Sequence, residues 1–484
     1  MLYILNIVRP LLKSDRLQYN GEMSTKPGPT ILDVPSETIY AWEQEGFTKT
    51  NYACFHFQGP CDVEALDSAL AQAQSAWPNF HANLIPTRFG LYRRLAWHVR
   101  EQPAKLEVRD FTALENPPED MEAWIHPQML PEVDHLLDLQ QEYPVKFILF
   151  LLPRQQCCLA MVVHHVVTDG GGVFDFMRDL FGIYHQMIKG SAPDWAQVSG
   201  MHSQAGAVTP VVPVSGWRFV RDLLAEWRKY PMWQAVRVAS DPGGGHGRNM
   251  IRHIISDQDL QKALRERARR EGGTLSDLVM AASKLAIQEF NGSRNAPSEI
   301  MYHGLAVNQR LRVAQSDAAI LGNPMSVITI PSNSADRRDP ETLLRYLVAC
   351  RKRKLDAGHD LKISGLSRKL TMICRILPIG IRYQFLRLLV EQKLSYFLTN
   401  VGVVWPEMKD GRPTGQTAIK RVGDMELIDI HSSIGATKKT GNALILRTIY
   451  GKLYFIFALG KHLISEDDAQ EFSSLVVKKT IGYL

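Results

Sequence analysis

Two strongly apolar runs lie close together in the first half of the chain, over residues 145–152 and 157–167, and only four residues separate them. A short connection between two such runs is typical of a β-hairpin. Runs that are apolar at nearly every position suit strands with both faces covered, as in a sheet flanked by helices. The sequence therefore predicts an α/β fold with this hairpin inside its sheet.

The second run leads into an unusual polar sequence, MVVHHVVTDGGG, over residues 161–172. It contains His164, His165 and Asp169, followed at once by Gly170 and two more glycines. Burying a polar ring without a partner costs about 1–3 kcal/mol, so this arrangement indicates a function. Neighbouring side chains on a strand point to opposite faces, which gives the two histidines different surroundings. We expect His164 to be a hydrogen-bonded core residue and His165 to face a cleft.

Two roles stay open for Asp169. It can orient the His165 ring, or, as we favour, it can lock the turn by pairing with an arginine or with backbone amides. Gly170 and the glycines after it allow a positive φ or a close backbone approach before a helix begins. Because the two histidines diverge and no third His or Cys follows at ligand spacing, we expect no metal site.

Length and composition restrict the class of protein. A chain of 484 residues is too long for one compact core, and a composition of 45% hydrophobic and 22% charged residues is ordinary for a globular protein. The formal net charge of +6 suits anionic partners, but no nucleic-acid-binding signature is visible, so we expect no nucleic-acid partner. The six cysteines form no CxxC pair and predict reduced thiols in a cytoplasmic protein.

Composition shifts along the chain predict four segments. Residues 1–34 form an N-terminal lead-in, in which Met23 is an alternative start and the opening apolar stretch is too short to span a bilayer. Residues 35–190 form an N-terminal lobe that holds the histidine motif. Residues 191–247, rich in Pro, Gly and Ser, connect this lobe to a second α/β lobe over residues 248–484.

The sequence from His164 to Gly170 resembles the HHxxxDG motif of the condensation-domain superfamily of acyltransferases. That group includes the condensation domains of peptide synthetases, wax ester synthases, alcohol acetyltransferases and the chloramphenicol acetyltransferase fold. Further segments resemble the family in the same order, at residues 272–290, 306–310, 321–323 and 398–402, with Thr399 in place of the usual Ser. The resemblance spans roughly residues 35–480.

The resemblance implies two chloramphenicol acetyltransferase-like α/β sandwich lobes with a tunnel between them. It also implies an acyltransferase in which an acyl thioester and a hydroxyl or amine acceptor enter from opposite faces. In that group the second histidine, here His165, acts as general base. His164, Asp169 and Gly170 would then build the site, and Asn400 would donate to the developing oxyanion. No cofactor is implied beyond the co-substrate, an acyl-CoA or a phosphopantetheine thioester on an acyl carrier protein.

Several alternatives stay open. The basic and apolar segment over residues 366–390 is a candidate for peripheral membrane contact or for lining an acyl pocket, although ordinary helix packing is the simpler interpretation. The basic clusters at residues 265–270 and 351–354 are candidates for contact with nucleotide phosphates or an acidic carrier, or are solvated helix faces. The alternative function is a non-catalytic module that docks a carrier protein or a lipid.

Overall fold

The protein is described by a computed structural model that covers residues 30–43, 47–192, 216–244, 247–309, 323, 325–390, 394–409, 412–435 and 441–484. Strands and helices are interspersed along the chain, and several strands follow one another directly. In the first half these are β1 (Thr30–Ile31), α1 (Val34–Trp42), β2 (Thr50–Gln58), α2 (Val63–Ala76), β3 (Ala82–Phe89), β4 (Tyr92–Val99), β5 (Leu106–Asp110), α3 (Met121–Asp134), β6 (Val145–Leu152), β7 (Gln156–His164), α4 (Gly170–Ile188) and α5 (Gly216–Lys229).

The second half begins with a strand and ends with a helix. Its elements are β8 (Arg248–Ile255), α6 (Gln258–Arg270), α7 (Leu275–Ser293), β9 (Met301–Asn308), β10 (Met325–Ser332), α8 (Pro340–Asp356), α9 (His359–Cys374), α10 (Ile379–Val390), β11 (Tyr396–Val403), β12 (Pro406–Lys409), β13 (Arg412–Thr417), β14 (Arg421–Val422), β15 (Met425–Ser433), β16 (Asn442–Ile449), β17 (Lys452–Gly460) and α11 (Glu466–Ile481).

The first six-stranded sheet has the order β14-β15-β2-β7-β6-β5, and the predicted hairpin forms its β6–β7 pair. Alternate residues of β7 enter two different cores. Leu159 and Met161 pack with α2 and α4, whereas Cys158 and Ala160 pack with α3 on the other face. Both faces of this strand are therefore covered, as its continuous apolar sequence predicts. All six cysteines are free thiols.

The second six-stranded sheet has the order β10-β9-β11-β16-β17-β8. Helices α6, α7, α8 and α11 bury their apolar sides against it in a second core. Helix α7 begins with a capping box, in which the Thr274 amide donates to the Asp277 carboxylate over 2.7 Å. The mixed α/β architecture in two lobes agrees with the prediction. The tunnel between the lobes stays a prediction.

The predicted division into residues 35–190 and 248–484 differs from the structure at one place. The second sheet does begin at Arg248, but β14 and β15 return to the first sheet, where Ile430 lies opposite Phe55 of β2. The apolar pattern near residue 430 reveals a strand but not which sheet the strand joins, since both sheets offer a partner edge. The second lobe therefore does not include β14 and β15, so residues 248–484 as a whole are not a separate lobe.

The segment predicted as one basic and apolar unit, residues 366–390, belongs to two helices, α9 and α10. Both are held to α1 by buried ion pairs of Glu37, which lies 2.8 Å from Arg375 and 2.9 Å from Arg382. Helix α1 is therefore fixed from this side. Among the residues that the structure describes, no helix combines the length and the apolar character needed to cross a membrane.

Candidate active site

The predicted site lies where β7 ends and the chain turns into α4. The amide of His165 donates to the carbonyl of Lys49 over 2.8 Å, which anchors the turn to the start of β2. Asp169 is the N-cap of α4, and its Oδ1 accepts a hydrogen bond of 3.0 Å from the amide of Gly172. The carboxylate thus locks the turn through a backbone amide, which is the role that we favoured from the sequence.

His164 is fully buried on the inner side of this turn. Its Nδ1 accepts a hydrogen bond of 3.1 Å from the amide of Val166, which leaves the proton on Nε2. Nε2 lies 3.0 Å from Oε2 of Glu43, at the end of α1. His164 is therefore a core histidine with a partner at each nitrogen, as predicted.

Glu43 is the residue that satisfies this buried histidine. Its other oxygen, Oε1, accepts a hydrogen bond of 3.1 Å from the amide of Lys49. Burial alone would raise the pKa of Glu43, but the bonds from His164 and Lys49 hold it below its ordinary value. The carboxylate is therefore ionised at neutral pH, and it ties α1, β2 and the end of β7 together.

His165 has a different environment, because its Nδ1 lies 2.9 Å from Oδ1 of Asn323. The orientation of the Asn323 amide is fixed by its other end. Nδ2 lies 2.8 Å from the carbonyl oxygen of His165 and 2.9 Å from Oγ of Ser36. A carbonyl oxygen only accepts, so Nδ2 must face it and Oδ1 must face the ring.

The tautomer of His165 follows from this orientation. Because Oδ1 of Asn323 only accepts a hydrogen bond, Nδ1 of His165 must carry the proton, and Nε2 is left with a free lone pair. Burial lowers the pKa of His165 below its ordinary value of 6.5, while the nearby charge of Asp169 and the bond to Asn323 act in the opposite direction. The ring is thus neutral at pH 7 and remains partly accessible, as a proton acceptor requires.

Gly170, the last residue of the motif, is the first residue of α4. A Cβ atom built on Gly170 meets no other atom within 4 Å, so the space in front of it is open. A separate, open pocket of about 580 Å³ lies at the hairpin end of β7, beside Pro153 and Cys157. The length of the strand puts that pocket roughly 25 Å from His164, so it is not part of the histidine site.

Asn400 lies on β11 of the second sheet. It is exposed at a break in the register of β11, and its Nδ2 donates to Oγ of Ser276 over 3.0 Å. Its Oδ1 accepts a hydrogen bond of 2.9 Å from the amide of Gly402. In the described part of the chain, no hydrogen bond joins Asn400 to the motif. The predicted contact with the oxyanion stays a prediction.

Three residues of the site were not predicted as site residues: Ser36, Glu43 and Asn323. For Asn323 the sequence did hold a signal, since it ends a segment that resembles the family at residues 321–323. Ser36 and Glu43 lie on α1, far from the motif in sequence, and no local pattern points to their contacts. They are recognised only once α1 is placed against the end of β7.

Comparison with known proteins agrees with this geometry. The family model "Condensation domain" matches residues 40–203, which include the histidine motif. A probable nonribosomal peptide synthetase, CymA from Salinispora arenicola (strain CNS-205), is 34% identical over 272 residues. An isonitrile lipopeptide synthase from Mycobacterium tuberculosis (strain ATCC 25618 / H37Rv) is 29% identical over 139 residues. These alignments cover 53% and 29% of this chain but only 3% and 5% of the two synthetases.

The fold of the chain, including both lobes, is similar to that of several solved structures. The first condensation domain of the CDA synthetase superposes with a TM-score of 0.65 at 15% identity, over 94% of this chain and 97% of that one. The starter condensation domain of rhizomide synthetase RzmA, in complex with C8-CoA, gives 0.62 at 14% identity, over 94% of each chain.

A third structure is that of the trichothecene 15-O-acetyltransferase TRI3 from Fusarium sporotrichioides. It superposes with a TM-score of 0.67 at 10% identity, over 94% of this chain and 95% of that one. At such low identities these likenesses show the fold, whereas the match at residues 40–203 concerns the sequence itself. Together the findings show that residues 40–203 are similar in sequence to the Condensation domain family and that the fold of the chain is similar to that of condensation domains.

Proposed function

We propose that the protein is an acyltransferase that moves an acyl group from a pantetheine thioester to a hydroxyl or amine acceptor. The single observation that carries this proposal is the contact between His165 and Asn323. It supports a neutral imidazole with the proton on Nδ1 and a lone pair on Nε2. Within the part of the chain that the structure describes, the His165 ring is hydrogen-bonded only at Nδ1, so the lone pair on Nε2 is available to take a proton.

The proposed step begins when Nε2 of His165 takes the proton from the acceptor O–H or N–H. The freed electron pair attacks the thioester carbonyl, and a tetrahedral oxyanion forms. When this intermediate collapses, the carbon–sulfur bond breaks, and the leaving thiolate takes the proton back from Nε2. The products are an ester or amide and a free thiol, so the base returns to its starting form. General base help of this kind is worth about 10²–10⁴ in rate.

The donor is proposed to be an acyl-CoA or an acyl group on the phosphopantetheine arm of a carrier protein. This agrees with the relatives, since one matched structure holds C8-CoA and two matched sequences are peptide or lipopeptide synthases. No other cofactor enters the proposed step. The competing function, a non-catalytic module that docks a carrier protein or lipid, has no need of a neutral His165 with a free lone pair.

Thiol release tests the proposal directly. The protein is incubated with a panel of acyl-CoAs of different chain length and with alcohols or amines, and the free thiol is followed over time. We expect turnover by the wild type and a loss of about 10²–10⁴-fold in His165→Ala. His135→Ala serves as the matched control, because that histidine is exposed and pairs with Glu142 rather than with a residue of the site. Equal turnover by wild type and His165→Ala would refute the proposed base, and no turnover with any donor would favour the docking module.

A further inference from the structure

An exposed apolar cluster lies where the β3–β4 hairpin meets the turn between α9 and α10. Its members, which we call the tip cluster, are Leu91, Tyr92, Ile376 and Ile381. Their side chains are 83%, 39%, 52% and 57% exposed. A single exposed apolar residue is ordinary, but a contiguous group of large ones marks a surface that contacts something else.

Two hydrogen bonds hold the two turns side by side. The amide of Arg93 donates to the carbonyl of Arg375 over 2.8 Å, and Nη1 of Arg382 donates to the carbonyl of Arg93 over 2.7 Å. Each of these three arginines is next in sequence to a member of the tip cluster. Consecutive Cα atoms are about 3.8 Å apart, so these bonds bring the two parts of the tip cluster close together although they are far apart in sequence.

The surroundings of the tip cluster are strongly cationic. The two segments that carry it, residues 82–100 and 361–390, contain ten arginines and lysines and no Asp or Glu, although 50 of the 484 residues of the chain are acidic. Glu37 pairs with both Arg375 and Arg382, so its single negative charge offsets one of their two positive charges. Others of the ten reach the surface, namely Arg88, which is exposed, and Arg93, Arg368 and Lys369, which are half-exposed.

We propose that the tip cluster docks the protein on an anionic lipid bilayer. Apolar side chains at the tips of turns enter the boundary between headgroups and acyl chains, and arginines and lysines around them contact the phosphates. Within these two segments an anionic surface meets no carboxylate. A bilayer suits this shape better than a protein partner, since Leu91 projects from a hairpin tip rather than lining a groove.

The docking surface is joined to the histidine site through α1. Glu37 binds the two arginines beside the tip cluster, and its neighbour Ser36 contacts the amide that holds His165. Docking would therefore set a fixed orientation of the histidine site relative to the membrane. The proposal itself does not depend on acyl transfer, because binding to a lipid surface is measured without any turnover.

Sedimentation with phosphatidylcholine vesicles, with and without phosphatidylglycerol, tests the proposal on the full chain. We expect the wild-type protein to bind the vesicles that contain phosphatidylglycerol and to dissociate from them at high salt. The double variant Leu91→Ser/Ile381→Ser removes two apolar tips, and we expect its partition coefficient to fall roughly tenfold or more. Arg88→Glu reverses one surface charge and lowers binding roughly tenfold.

Leu114→Ser is the matched control, because Leu114 is also an exposed leucine but lies beyond β5, away from the tip cluster. Its binding is expected to equal that of the wild type, and circular dichroism checks that all variants are folded. Absence of wild-type binding to phosphatidylglycerol vesicles would overturn the proposal, as would unchanged binding of the double variant. Binding of a purified acidic acyl carrier protein, weakened by the same substitutions and without vesicle binding, would replace the bilayer by a protein partner.

Discussion

Asn323 accepts a hydrogen bond of 2.9 Å from Nδ1 of His165, although the two residues are 158 positions apart in the chain. Asn323 precedes β10 of the second sheet, whereas His165 follows β7 of the first. The candidate base and the group that fixes its tautomer therefore come from different halves of the chain. The site is complete only when both sheets are in place.

Removal of the amide in Asn323→Ala is expected to lower kcat without a comparable change in KM. The substitution leaves Nδ1 of His165 without its acceptor, so the other tautomer and other ring orientations become populated. We expect kcat to fall at least about tenfold, a part of the 10²–10⁴ that a general base supplies. Ser36→Ala is the control, because it removes the contacts of the Ser36 hydroxyl with Asn323 and Asp33 but leaves the bond between Asn323 and the His165 ring in place. A rise in KM alone would show that Asn323 binds substrate rather than positions the base.

The pH dependence of kcat/KM reports the pKa of His165, because the base acts only when neutral. Burial lowers that pKa, so the acidic limb of the wild-type profile is expected below pH 6.5. In Asn323→Asp a carboxylate replaces the amide and favours the charged imidazole, which raises the pKa. The acidic limb should therefore move to higher pH in this variant. A shift to lower pH would contradict the assigned contact.

Gly170→Ala adds a methyl group at the entrance of α4 where the structure has open space. We expect the melting temperature to stay the same or rise slightly, because alanine favours helix over glycine by up to about 1 kcal/mol. On the proposed function the same methyl group narrows the site, so KM should rise, most for the largest acceptors. Gly182→Ala is the matched control, since Gly182 lies in the same helix and a Cβ there also meets no atom within 4 Å. If Gly170→Ala and Gly182→Ala have the same KM, the acceptor does not bind beside Gly170.

Lys284 lies fully buried in the second core, where its Nζ donates to the carbonyl of Ile330 over 3.0 Å. Burial and the nearby Arg337 lower its pKa well below 10.5. The unfolded chain takes up a proton at this lysine below pH 10.5, so its contribution destabilises the fold as the pH falls towards 7. Lys284→Met should raise the free energy of unfolding by about 1–3 kcal/mol at pH 7 and by less near pH 10. Urea denaturation at both pH values measures this difference, and a uniform loss of stability would contradict it.

Local patterns were sufficient for the features that depend on neighbouring residues. The alternation along β7 predicts that His164 and His165 diverge, and the structure gives them Glu43 and Asn323 as separate partners. The sequence TDGGG predicts a locked turn before a helix, and Asp169 is the N-cap of α4. Both inferences rest on backbone geometry, which acts over a few residues.

Contacts between distant segments could not be predicted in the same way. The sequence of residues 425–430 predicts a strand. Which sheet that strand joins depends on tertiary packing rather than on the strand's own sequence. Asn400 lies in a segment that resembles the family, yet its amide is taken up by Ser276 and Gly402. A short motif that resembles a family shows where a residue lies in the chain. The hydrogen-bond partners of Asn400 depend instead on the local register of β11.

The return of β15 to the first sheet has a consequence for how the chain can be divided. A fragment that ended at residue 247 would lack β15 and would leave β2, with Phe55 and its apolar neighbours, as an unpaired border of the sheet. Open borders of this kind invite association with other chains. The first half of this protein therefore depends on the second for the strand that protects this border, and a fragment that ends at residue 247 is not a self-contained piece.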